Sequence, residues 1–185
     1  MTVELSRQSA YLCVLTDDGT IGDDAIVSNN VSDEWMIAHG SGQSMELLGA
    51  SAGLLFHGYD MTSENSPWEV GLGFTVAKGK TGFRGAEACQ ALKGQEKIIN
   101  VCLDIEHDEM VDGGESLSQG QTQAGTVNSP CYSHRLKKSL ALAHLAPEFS
   151  KAGTQLSLAT SSGSTLSATV VATPIYDSDK IRMHA

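Results

Sequence analysis

The stretch Ile99-Asn100-Val101-Cys102-Leu103-Asp104-Ile105 sets the fold class of the second half of the chain. It is rich in apolar and β-branched residues, and similar runs follow it, separated by turns rich in Gly and Ser. These further runs are residues 124–127, 139–145, 155–159 and 167–172. Short strands at this spacing, with glycine-rich turns between them, are typical of a small all-β barrel or sandwich. We therefore predict a C-terminal all-β barrel over residues 96–185.

Residues 1–95 combine strand and helix patterns. Apolar runs at 10–15, 25–27 and 34–38, separated by Asp and Gly turns, predict an antiparallel meander. Residues 44–55 and 85–92 have helical composition, and the second of these runs stops at a glycine. The predicted fold class is therefore α+β. Its N-terminal part is mixed α/β, with antiparallel strands and short helices, and the barrel follows it.

Composition and charge exclude several classes of protein. Hydrophobic residues make up 41% of the 185, which is enough to bury a core and is unlike a disordered chain. The formal net charge of −10 argues against a nucleic-acid partner, because phosphate binding needs a basic face. No run approaches the ~20 apolar residues of a membrane helix, and the N-terminus lacks a leader pattern. We expect a cytoplasmic protein without a membrane partner.

The spacing of cysteine and histidine argues against a metal site. The four cysteines are scattered without a CxxC pair, and the six histidines lie far apart in sequence. In a cytosolic protein such cysteines are expected to be reduced and mostly buried. We therefore predict no bound metal.

Three more specific patterns occur along the chain. The first is Asp17-Asp18-Gly19-Thr20-Ile21-Gly22-Asp23-Asp24-Ala25-Ile26-Val27. The second is Ala52-Gly53-Leu54-Leu55-Phe56-His57-Gly58-Tyr59-Asp60-Met61, followed at a fixed distance by residues 66–76. The third lies in the tail, at residues 125–129, 136–143 and 174–177. Together, and in this order, they resemble the glycine-cleavage T-protein (aminomethyltransferase) family.

The sequence also departs from this family's pattern. In the family a long central segment separates the first motif from the second, and one of its loops carries a carboxylate that binds the pterin ring. Here the chain passes from residues 37–40 to residues 52–55 without that segment. The two arginines that precede the family's second motif fall on Met45 and Gly49.

The resemblance implies that tetrahydrofolate is the cofactor and that a one-carbon unit is transferred to it. It makes Asp24 the catalytic carboxylate, which would stabilise a developing cation near the pterin nitrogen. Adjacent residues on a strand point to opposite faces, so Asp23 and Asp24 would play different parts. The residues alone, without the resemblance, favour the interpretation of the pair as part of an acidic turn after Gly22.

Further cofactor-binding candidates follow from the same resemblance. Tyr11 matches a tyrosine of the folate pocket, although it could also pack in the core. Trp68 and Glu69 lie in the second motif, where a structural role in the loop is the competing interpretation. Arg182 could contact the glutamate tail of the folate, or could be a solvated residue of the C-terminal tail.

Two functions of different classes therefore remain open. The first is tetrahydrofolate-dependent aminomethyl transfer, with a small amine or an aminomethyl-carrier protein as the donor. The second is a non-catalytic remnant or binding module without folate affinity, which the absence of the central segment favours. A homo-oligomer could complete a pocket that one copy leaves open.

Overall fold

The computed structural model describes residues 9–15, 18–31, 34–38, 55–76, 78–133, 136–173 and 175, and only the backbone of the three strands before residue 39. The described chain divides into two compact units. One comprises Met1–Gly42 and Met61–Glu96, and the other comprises Gln43–Asp60 and Lys97–Ala185. The boundary near residue 95 that the sequence suggests stays a prediction.

The first unit begins with a three-stranded antiparallel sheet. Its strands are β1 (Ser9–Leu15), β2 (Ile21–Val31) and β3 (Glu34–Ala38), and they lie in the order β1-β2-β3. The predicted meander is therefore confirmed. Strand β2 is longer than the apolar run 25–27, because pairing with β1 and β3 includes the polar residues on either side of that run.

The mixed α/β description of the first half is not confirmed. Among the described residues the first unit contains one α-helix, α1 (Ala86–Leu92), and one short 3₁₀ turn, Gly73–Thr75. The helix predicted over 44–55 lies outside the described residues, apart from residue 55. Hydrogen-bonded turns occupy most of residues 58–76, since Pro67 and the nearby glycines do not favour a regular helix there. No helix in the described part of the chain is long and apolar enough to cross a membrane.

The second unit contains the predicted barrel, which is confirmed as a closed six-stranded antiparallel barrel. Its strands are β4 (Ile99–Ile105), β5 (Ser116–Gln119), β6 (Thr122–Ser133), β7 (Lys138–Leu145), β8 (Gln155–Ala159) and β9 (Thr165–Val171). They follow the order β4-β7-β6-β5-β8-β9, and β9 pairs with β4 to close the ring. Closure leaves no strand edge unpaired in the barrel.

Alternating apolar residues fill the barrel interior. The buried cluster comprises Val101, Leu103, Ile105, Val111, Leu117, Ala124, Val127, Ala141, Ala143, Leu145, Leu156, Leu158, Ala168 and Val170. In β7 the residues between these positions, Leu140 and Leu142, are also fully buried. Strand β7 is therefore covered on both faces, which explains its nearly continuous apolar sequence.

One glycine is required where β6 and β7 approach closely. Gly125 pairs with Leu145, and a β-carbon at position 125 would overlap the backbone carbonyl of His144. Any larger residue would push the two strands apart at this point.

Candidate functional site

The hairpin of β1 and β2 carries three of the residues proposed from sequence. Tyr11 pairs with Ile26, Cys13 with Asp24, and Val14 with Asp23. In a regular antiparallel ladder, partner positions and positions two residues away share one face of the sheet. The register therefore places positions 11 and 24 on the same face of the sheet and position 23 on the opposite face.

The turn of this hairpin lies against helix α1. Gly19 adopts a φ of +81°, which L side chains rarely adopt, and it is buried. A β-carbon there would overlap the backbone of Ala88 and Cys89 in α1. The Thr20 hydroxyl donates a 3.0 Å hydrogen bond to Asp18 Oδ1 across the same turn. The helix and the turn are thus in direct backbone contact.

Glu69 organises the turn that precedes the 3₁₀ segment. Its Oε2 accepts hydrogen bonds from the backbone N–H of Ser66 at 2.8 Å and from the Ser66 hydroxyl at 3.2 Å. Both residues are buried. A buried carboxylate that accepts a backbone N–H satisfies a donor that would otherwise be costly to bury.

Trp68 joins this turn to helix α1. Its indole N–H donates a 2.8 Å hydrogen bond to the backbone carbonyl of Cys89. Gly73 lies against one part of the ring, and Lys93 Nζ lies 4.6 Å from the ring centroid, in cation–π distance. The indole is therefore held by contacts within its own unit.

These contacts separate the candidates. The polar groups of Trp68 and Glu69 meet protein partners, as the structural interpretation expects, and their role as direct folate contacts stays a prediction. The side chains of Tyr11, Asp23 and Asp24 are not described, so their roles stay predictions as well. Arg182 lies outside the described residues.

A polar cluster that sequence reasoning did not identify lies on the outside of the barrel. Asp60 is only 1% exposed, and its Oδ2 accepts a 2.9 Å hydrogen bond from the backbone N–H of Phe56. Burial raises the pKa of Asp60 above its ordinary value, while Ser129, the Phe56 N–H and His144 partly oppose that shift. This carboxyl group therefore holds a proton more readily than an exposed one.

The same cluster fixes the turn 56–60 on the barrel wall. His144 Nε2 lies 2.8 Å from the backbone carbonyl of Asp60, so this nitrogen carries the proton that is donated. Asn128 Nδ2 donates to the carbonyl of Tyr59 at 3.3 Å. The sequence signals for this arrangement are a histidine within the apolar run 140–145 of strand β7 and the presence of Asp60 in the second motif.

Comparison with known proteins now identifies the family. The model of the glycine cleavage T-protein C-terminal barrel domain matches residues 99–177, which include strands β4 to β9. An aminomethyltransferase from Thermotoga sp. (strain RQ2) is 35% identical over 124 residues, covering 66% of this chain and 33% of that protein. The chain belongs to the glycine cleavage T-protein-like family. The resemblance inferred from the sequence is thus confirmed.

Other relatives of this T-protein-like chain have different names. A trimethylamine-oxide aldolase from Ruegeria pomeroyi is 34% identical over 144 residues, covering 76% of this chain and 18% of the relative. The gamma subunit of a heme-dependent oxidative N-demethylase from Ectopseudomonas mendocina is 37% identical over 99 residues, covering 52% and 26%. The chain therefore spans a third or less of the length of these three relatives. Together they support a T-protein-like function.

A solved structure has the same fold. The glycine cleavage system aminomethyltransferase T from Bartonella henselae aligns with a TM-score of 0.77 and 15% identity. The alignment covers 92% of this chain and 76% of that protein.

Three of the four cysteines, those whose side chains the structure describes, are poor candidates for nucleophiles. Burial raises the pKa of Cys102 to about 12, with Cys131 and Asp104 adding to the effect. Burial also raises the pKa of Cys131 and of Cys89. Thiolates are the reactive form, so these three thiols are chemically quiet at neutral pH. Within the described ranges, no group of three or more His, Cys, Asp or Glu side chains could hold a metal ion.

Proposed function

We propose that this chain is a T-protein-like module that binds a reduced folate and takes part in one-carbon transfer to it. The supporting observation is the register of β1 and β2, which groups positions 11 and 24 within a chain of the T-protein family. The donor would be a small amine or an aminomethyl-carrier protein. A second copy of the chain could complete the pocket.

The chain's own residues would have distinct parts in this function. Bound tetrahydrofolate would supply the nitrogen that accepts the one-carbon unit. The Asp24 carboxylate would stabilise positive charge near that nitrogen and hold the proton. Tyr11 would offer an aromatic face for stacking, and Asp23 would act from the opposite face of β2. Arg182 would attract a carboxylate of the ligand.

Trp68 and Glu69, whose direct contact with folate stays a prediction, would also support the site from within the first unit. The Trp68 N–H is used by Cys89, and Glu69 Oε2 is used by Ser66. Glu69 thereby stabilises the turn at residues 66–69, and Trp68 stabilises helix α1, which contacts Gly19. They would act on folate binding indirectly, by holding the hairpin of β1 and β2.

A second candidate is a binding module without folate affinity. Its supporting observations are the structural use of Trp68 and Glu69 and the absence from the sequence of the family's central segment. Losing one buried charged contact to a ligand typically costs about 2–5 kcal/mol. Two such losses would reduce a micromolar affinity to a negligible one, because about 1.4 kcal/mol corresponds to tenfold.

Calorimetric titration with reduced tetrahydrofolate separates the two functions. We expect binding in the micromolar range, weakened about tenfold or more by Asp24→Ala, because a charged partner of the ligand is removed. Glu109→Gln is the matched control, since Glu109 is an exposed acid on the connection between β4 and β5. No heat at millimolar folate would reject folate-dependent transfer in favour of the second candidate. An equal loss of affinity in both variants would reject the proposed role of Asp24 while folate binding stands.

A further inference from the structure

The ladder of β1 and β2 brings one further residue next to the proposed site. Cys13 pairs directly with Asp24, and the pair of Tyr11 and Ile26 lies two residues further along the ladder. The register is regular up to Val14, so neither pair is displaced by a bulge. Directly opposed residues of an antiparallel ladder have Cβ atoms about 4.5–5.5 Å apart. Position 13 is therefore the position of β1 nearest to Asp24.

The two faces of this hairpin differ in composition. One face is apolar apart from a single aspartate, and it comprises Ala10, Leu12, Val14, Asp23, Ala25 and Val27. The other face mixes polar, aromatic and aliphatic residues, and it comprises Ser9, Tyr11, Cys13, Asp24, Ile26 and Ser28. An antiparallel sheet commonly packs its apolar face on the core and leaves the other face to solvent or a ligand. The face of position 13 is therefore the one expected to meet a ligand.

Tyr11 and Asp24 lie on a diagonal of the ladder. Diagonal neighbours are about 7–8 Å apart, and the remaining members of the same two pairs are Cys13 and Ile26. A ligand that contacts both Tyr11 and Asp24, as the proposed folate does, would lie across the strip that contains positions 13 and 26. Of these two positions, 13 is directly opposite the carboxylate residue.

The residue at position 13 is smaller than its neighbours along β1, Leu12 and Val14. In the proposed function, the Asp24 carboxylate lies near the pterin nitrogen that accepts the one-carbon unit. A substituent on that nitrogen would occupy the space beside the carboxylate, which is also the space next to position 13. A larger side chain at position 13 would compete for this space, because closely packed regions do not accept added volume without strain.

We propose that Cys13 determines which forms of reduced folate the site accepts, because its small side chain leaves room for a one-carbon substituent on the nitrogen beside Asp24. This inference rests on the proposed folate function and names the ligand class of that site, which is reduced folates with a substituent at N5 of the pterin. Cys13 acts here through its size and forms no covalent bond to the ligand.

Calorimetric titration with tetrahydrofolate and with 5-methyltetrahydrofolate tests the inference. We expect the unmodified chain to bind the two forms with affinities within about threefold of each other, because the methyl group has room beside position 13. In Cys13→Leu the affinity for the methylated form should fall about tenfold or more relative to that for the unsubstituted form, because leucine fills this space. The ratio of affinities is read within one preparation, so a loss of folded protein affects both titrations alike.

Two variants serve as controls for the ratio of affinities. Cys13→Ser keeps the size of the side chain and should keep the ratio. Ser28→Leu enlarges a residue on the same face of β2, four residues from Asp24 and thus about 13 Å away along the strand. This variant should leave the ratio unchanged, whatever its effect on the two affinities.

The possible outcomes separate this inference from the folate function. If neither form binds the unmodified chain, both proposals are rejected together. If only the unsubstituted form binds, or if Cys13→Leu leaves the ratio unchanged, the role of Cys13 is rejected while folate binding stands. A shift of the ratio in Cys13→Ser or Ser28→Leu as large as that in Cys13→Leu would also reject it, because the effect would then not depend on side-chain size at position 13.

Discussion

The barrel and the hairpin of β1 and β2 are held in different ways. In the barrel, β7 is paired on both sides and buried on both faces. The hairpin contacts helix α1 through its turn, and that helix is held in part by the single hydrogen bond from Trp68. Proteins commonly place rigid packing in the scaffold and ligand contacts on segments with fewer constraints. Substitutions in the barrel and in the hairpin are therefore expected to differ in their effects on stability and on ligand binding.

The largest effect on stability is expected at Gly125, where β6 and β7 are too close to accommodate a side chain. Gly125→Ala should lower the free energy of unfolding by about 3 kcal/mol or more, because the added β-carbon overlaps the His144 carbonyl. Denaturant unfolding, monitored by circular dichroism, measures this free energy. Thr126→Ala, on the same strand, is the control. A loss no greater than that of the control would mean that β6 and β7 can separate at little cost.

A smaller and more local effect is expected at the hairpin turn. Gly19→Ala combines an unfavourable φ, at about 1–2 kcal/mol, with overlap against α1. We therefore expect Gly19→Ala to lower the free energy of unfolding of the first unit. Both tryptophans, Trp35 and Trp68, belong to that unit, so their fluorescence should report the change, while the unfolding transition of the barrel stays unchanged.

The control for that change is Gly163→Ala. Gly163 has a similar φ of +86° but open space around its β-carbon position, so it isolates the backbone strain. Folate affinity should fall in Gly19→Ala alone. An unfolding midpoint shared by both units in Gly19→Ala would contradict the separation of scaffold and hairpin.

The smallest effect concerns the pH dependence of the barrel unit. Burial raises the pKa of Asp60 above its ordinary 3.8, so its contribution to stability is complete below that value and is lost as the pH rises through the folded-state pKa. Asp60→Asn removes this titration. The free energy of unfolding of the unmodified chain should therefore fall relative to that of Asp60→Asn between acidic and neutral pH.

Urea unfolding at several pH values checks this expectation, and Glu109→Gln, an exposed acid, is the control. A difference between the unmodified chain and Asp60→Asn that stays constant with pH would show that the carboxyl group titrates as an exposed one does.

The barrel strands were predictable because their apolar residues occur in short runs. Residues 99–105, 139–145 and 155–159 match β4, β7 and β8 closely. Strand β5 was missed, since its sequence Ser116-Leu117-Ser118-Gln119 has one buried apolar residue and is specified by pairing with β6 and β8. Strand β6 extends across Pro130, where the pattern suggested an earlier end.

The roles of the site residues were harder to predict, because their partners are distant in sequence. Trp68 could be assigned to a structural role only after its bond to Cys89, 21 residues away, was known. The burial of Asp60 depends on β6 and β7, and His144 is 84 residues from it. Sequence patterns show which residue types are present but not which distant backbone groups they meet.

The buried thiols lie at positions where their reaction with a thiol reagent would report local opening of the structure. Cys102 and Cys131 lie in the barrel wall, and Cys89 lies in helix α1. A thiol reagent reaches such a group only when the structure around it opens, so the rate of alkylation at each cysteine reports the opening of its own region. Mass spectrometry of alkylated peptides would then measure, in a single sample, the rates of local opening of the barrel and of helix α1.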